Sequence, residues 1–109
     1  MEFITINSEK TIAELYKEFA LVFPYLKIEI EVKSKILTHK LKDISTLKND
    51  FEFFITKHLT VVELNQLFLE NIGQNVHIFR KMGSSLVETT FTKQWTLEHQ
   101  NIKGMEVFS

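Results

Sequence analysis

Four histidines, His39, His58, His77 and His99, are the residues of this chain best suited to proton transfer or metal binding. No two of them stand two, three or four residues apart, so none share a helix face as ligands, and there is no Cys to supply a thiolate. His77 alternates with Val76 and Ile78, which turns it to the outer face of a strand. Glu29 and Glu31 share one strand face, as a pair of catalytic carboxylates would, but Lys27 and Lys33 share it too, a pattern of solvated ion pairing. Ser84 and Ser85 follow Gly83 and read as turn residues, with no nucleophile elbow around them. Asp43 and Asp50 flank a loop and have no partner in sequence. Gly73, Gly83 and Gly104 stand alone, so no phosphate-cradling loop is present. The residues assign no catalytic group, no cofactor and no metal ligand.

Binding is better supported than catalysis. From Lys33 to Lys42 the chain carries Lys33, Lys35, Lys40, Lys42 and His39 with no acid, which suits an arm that meets phosphates or an acidic partner. The same lysines also suit a solvated connection that discourages edge pairing. Strand alternation turns Phe3, Phe54, His77 and Phe79 outward, and such rings on an open sheet resemble the stacking platform of single-stranded RNA binders. Glu29, Glu31 and Glu52 on that face oppose phosphate, and Arg80 is the lone arginine. The tail adds Trp95, Leu97, Ile102, Met105, Val107 and Phe108. Exposed rings and an apolar tail want shelter. The expectation is that the tail folds over the open sheet face or meets it in a second copy, as in a two-fold dimer.

The elements that must hold these groups come as a weak internal repeat. Phe3-Ile4-Thr5 recurs as Phe54-Ile55-Thr56, and Thr11, Glu14, Leu15 and Phe19 recur as Thr60, Glu63, Leu64 and Phe68. Each half reads strand–helix–strand. A first helix is expected from Glu9 to about Val22, capped by Ser8, with Ile12, Leu15 and Phe19 on its buried stripe and Pro24 ending it. The second starts with a Thr60–Glu63 capping box and stops at Gly73. Residues 26–33 alternate without a break, the signature of a sheet with one open face. A strand over 51–57 follows, then a hairpin of 75–81 and 85–91 around Met82-Gly83-Ser84. A last short helix spans Thr96 to Lys103 and ends at Gly104.

This order predicts an α+β fold, a ferredoxin-like split βαβ plait with two helices on one face of an antiparallel sheet, plus a C-terminal strand and short helix. The chain reads as one domain over 1–109, with halves 2–33 and 51–81 and an added segment 82–109. Its 109 residues, 44% apolar and 25% charged, suffice for a core and exclude disorder. A net charge of −1 argues against a general affinity for nucleic acid or anionic membrane. With no secretion signal and no apolar run near membrane length, a soluble cytoplasmic protein is expected. Architecture licenses no activity. The expected function is a protein-interaction or homodimerisation module. The alternative is a small-ligand or single-stranded nucleic-acid binder, with His77, Arg80 and Trp95 lining a pocket between sheet and terminal helix.

Overall fold

The computed structural model describes residues 3–33 and 36–107. Its order is β1 (Phe3–Asn7), α1 (Ile12–Val22), β2 (Leu26–Ile30), α2 (Leu41–Ile44), β3 (Glu52–Thr56), α3 (Val61–Asn71), β4 (Val76–Met82), β5 (Ser85–Glu88), a 3-10 turn (Thr90–Thr92) and α4 (Leu97–Glu106). The fold is mixed α+β with antiparallel strands and four helices. No described helix is long and apolar enough to cross a membrane.

The strands form two sheets, not the single layer of a ferredoxin-like plait. β1 pairs with β3, as at the centre of such a plait, but β2 pairs with β4, and β5 joins β4. The reason lies between β2 and β3. A hairpin would need a connection of a few residues. Here residues 31–51 intervene and contain a helix of their own, so nothing ties β2 to β3. Both sheets turn aliphatic faces to one core, where Ile4, Ile6, Ile55, Ile28, Ile30 and Ile78 are at most 1% exposed. Phe19 and Phe68 complete it from α1 and α3.

The repeat is visible as geometry. In the β1–β3 ladder Ile4 faces Ile55, the middle residues of the two Phe-Ile-Thr copies, and in the second sheet Ile28 faces Ile78. The two Phe-Ile-Thr copies therefore oppose one another as about a local two-fold axis. The helix starts match. Thr11 caps α1 by accepting from the Glu14 N–H at 3.1 Å while Glu14 accepts from the Thr11 N–H at 2.9 Å, and Thr60 and Glu63 repeat both bonds at the same lengths. Ser8 is not the cap; it is buried, and its Oγ accepts from the Phe51 N–H.

The match extends past the expected strand–helix–strand. The Leu41 N–H donates to the Lys10 carbonyl at 2.8 Å, and the Leu97 N–H donates to the Leu59 carbonyl at 2.8 Å. Lys42 to Ser8 and Glu98 to Lys57 repeat at 3.1 Å. Thus α2 and α4 are counterparts, each tucking one leucine into the core, and each half is strand–helix–strand–helix. The second half carries an insertion, the β4–β5 arm and the 3-10 turn. Gly73 (φ 78°) ends α3 and Gly83 (φ 64°) turns the arm, both as expected. Gly104 does not end α4. It is buried inside it, close against Tyr25 and Arg80.

Candidate functional site

The split into two sheets also splits the expected aromatic platform. Phe3 and Phe54 lie on the outer face of the β1–β3 sheet, 51% and 48% exposed, and meet edge to face at 5.8 Å and 79°. His77 and Phe79 belong to the other sheet and are half-buried. The described part of the tail does not lie over Phe3 and Phe54. α4 instead packs at the end of β2 and β4, where the Asn101 Oδ1 accepts from the Tyr25 N–H at 2.9 Å. Trp95 lies beneath Arg80, whose guanidinium carbon is 5.5 Å from the ring centre, and stacks on His99 at 4.3 Å. Arg80 and Trp95 therefore share a place with α4, whereas His77 faces a different groove. Phe108 lies outside the described residues.

The basic stretch is largely spoken for. Lys40 and Lys42 both grip Glu9, at 2.6 and 3.0 Å, which holds the Glu9 carboxyl below its usual range. Lys33 is exposed, and Lys35 lies outside the described residues. An arm that spends two lysines on its own acid is a poor phosphate clamp. Lys40 is also the residue before α2, a position the alternation of charges did not announce.

A concave surface with polar groups at its rim runs between α3 and the β4–β5 arm, with a volume of about 300 Å3. Val61 and Val62 of α3 and Val76 and Ile78 of β4 make it apolar within. Asn65 closes the strand edge there: its Oδ1 accepts from the Val76 N–H at 2.8 Å and its Nδ2 donates to Asn75 Oδ1 at 3.1 Å. In the first half Tyr16 stands at the equivalent helix position, its hydroxyl accepting from the Ile30 N–H at 3.0 Å. With its edge amide already bonded, β4 offers little for strand addition at this point. The groove is shaped for a side chain or a compact group.

His77 sits at its mouth. Nδ1 is 3.0 Å from Glu88 Oε2, and Nε2 is 3.5 Å from Glu31 Oε1. Glu29 faces His77 across the β2–β4 ladder. The hydrogen bond to Glu88, aided by Glu31, raises the imidazole above its ordinary value of 6.5 against the cost of partial burial. Both ring nitrogens are directed at carboxylates, which stabilise its charged form and keep the ring committed to them. Among the described residues no three His, Asp or Glu side chains gather as they would to hold a metal ion.

Beside the groove stands Phe91, which lies outside the strand expected over 85–91. β5 ends at Glu88, and Phe91 is fully exposed on the 3-10 turn. The turn is pinned on both sides. Thr89 is buried, and both its N–H and its hydroxyl donate to the Ile78 carbonyl, at 3.0 and 2.9 Å. Gln100, fully buried, donates through Nε2 to the Thr92 carbonyl and hydroxyl at 2.7 and 2.8 Å and accepts from Arg80 Nη1 at 2.9 Å. A large ring is thus presented to solvent from a turn held by buried polar groups. The sequence signal was faint: a lone phenylalanine among polar residues in Thr89-Thr90-Phe91-Thr92.

No family model matches the chain, and neither a curated protein nor a solved structure gave a significant match to it.

Proposed function

We propose that the chain is a protein-interaction module whose contact face is the α3/β4–β5 groove with Phe91 beside it. The observation that carries this reading is Phe91. Leaving a phenylalanine ring in water forgoes roughly 2 kcal/mol of burial. A mobile loop could hide such a ring, but Thr89 and Gln100 hold this one out. Rigid, desolvatable aromatics flanked by polar groups are what binding hot spots are made of. The Phe3–Phe54 face is the weaker candidate, because those two rings already cover one another. The groove supports a second reading, a small amphipathic ligand seated on Val61, Val76 and Ile78 with His77 at the mouth.

The test is site-specific crosslinking in the expressing cell. A benzophenone amino acid at position 91 is expected to yield a discrete adduct of higher mass. The same probe at Leu21, 66% exposed on α1, is expected to yield none. No adduct from position 91, or equal adducts from both, would overturn the proposal.

A further inference from the structure

We infer that the partner at this face is a second copy of the chain, docked about a two-fold axis so that Phe91 of each copy fills the α3/β4–β5 groove of the other. This rests on reading Phe91 as a contact residue and goes further by naming the occupant. Three features point to it. The first is adjacency. Thr90 and Lys93, on either side of Phe91, help to line the groove, yet the Phe91 ring itself is fully exposed and does not enter it. A knob lying next to a hole that it does not fill is the arrangement an isologous dimer needs, because a two-fold axis between them seats both knobs at once. The second is size. The groove, at about 300 Å3 and lined by Val61, Val62, Val76 and Ile78, is large enough for one phenylalanine ring. The third is charge. Lys93 travels two residues behind the knob, and the mouth that would receive it carries Glu31 and Glu88. A rim lysine arriving at two rim carboxylates adds register to the apolar contact.

The extent of the contact sets the strength. Two rings and the walls they cover remove on the order of 800 Å2 in total, below the standard interface. A contact of that size belongs with the weak, transient associations, so the dimer is expected to be reversible.

The experiment is sedimentation velocity on the full chain from about 1 to 500 µM, with Phe91→Ala and Val62→Glu. Neither substitution endangers the fold. Phe91 touches no core residue, and Val62 is an exposed residue in the first turn of α3, where an acid is favourable. Thermal melts confirm that both variants are folded. The expected result is a monomer–dimer equilibrium in the wild type. Its dissociation constant rises at least about 100-fold in Phe91→Ala, since the truncation is made twice, and comparably in Val62→Glu. A dimer insensitive to either substitution overturns the proposal, for it would use another face. A wild type monomeric throughout, in a chain whose position 91 still crosslinks to a different protein, overturns the second-copy partner and leaves the interaction module standing. A monomeric wild type with no adduct from position 91 removes both.

Discussion

Replacing Gly104 by alanine sets two known effects against each other. In a helix interior alanine is favoured over glycine by about 1 kcal/mol. Against that, the added Cβ would stand 2.8 Å from the Cβ of Tyr25, 3.1 Å from the Tyr25 carbonyl oxygen and 3.3 Å from Arg80 Cγ. Overpacking costs about 1–3 kcal/mol, and the upper part of that range applies here. The nearest atom is bonded to backbone and cannot swing aside, and the Tyr25 N–H is tied to Asn101 on the same helix. The net expectation is a loss of about 1–2 kcal/mol, a drop of roughly 1 M in the urea midpoint for a small domain. Trp95, the one tryptophan, sits on α4's approach and reports the transition by fluorescence. Met105→Ala, at the exposed neighbouring residue, is the control and should shift stability by no more than about 0.5 kcal/mol. A Gly104→Ala midpoint equal to or above wild type would refute the view that α4 is clamped on Tyr25 and Arg80.

Two further outcomes follow from the geometry. Thr11→Ala and Thr60→Ala remove equivalent caps, so each should cost about 1 kcal/mol and the double variant about their sum; chemical denaturation in which one loss is several-fold the other would break the equivalence of the halves. The His77 ring should titrate above 6.5 by NMR, and Glu88→Gln should bring it down, because the Glu88 hydrogen bond is its largest support. The sign in stability follows from a raised folded value: the contribution of His77 is complete below the unfolded value near 6.5 and fades as pH rises through the folded one. A ring that titrates at or below 6.5 in the wild type removes the His77–Glu88 pairing.

What could be read from the chain was local. The unbroken alternation from Leu26 to Lys33 told which side chains of β2 face the core, and Leu26, Ile28 and Ile30 do. Thr60 with Glu63, Thr96, Gly73 and Gly83 announced two caps and two turns where they occur, because each acts within four residues of itself. The choice of sheet neighbour was not legible. Alternation says which face is buried and nothing about which strand lies alongside, so β2 could be assigned to β3 as readily as to β4. Ser8 and Thr11 are both good caps, and what excludes Ser8 is a contact with Phe51, far along the chain. Gly104 near the end of a helical pattern reads as a stop, yet it is there to admit Tyr25. Phe91 is hidden in the sequence because no local signal marks the end of β5 at Glu88, three residues before it.

The pairing of the strands has a consequence for how the molecule holds together. β1 and β2, although joined by one helix, do not pair with one another; each finds its neighbour only in the later portion of the chain. Residues 3–44 by themselves would leave two strands with bare edges and half of a core open to water. In physical terms the molecule is an assembly of two pieces spliced end to end, as when a self-associating ancestor is fused in tandem. The stretch 45–51, bonded to one piece through Phe51 to Ser8 and to the other through Thr46 to Ile72, turns a bimolecular encounter into an intramolecular one.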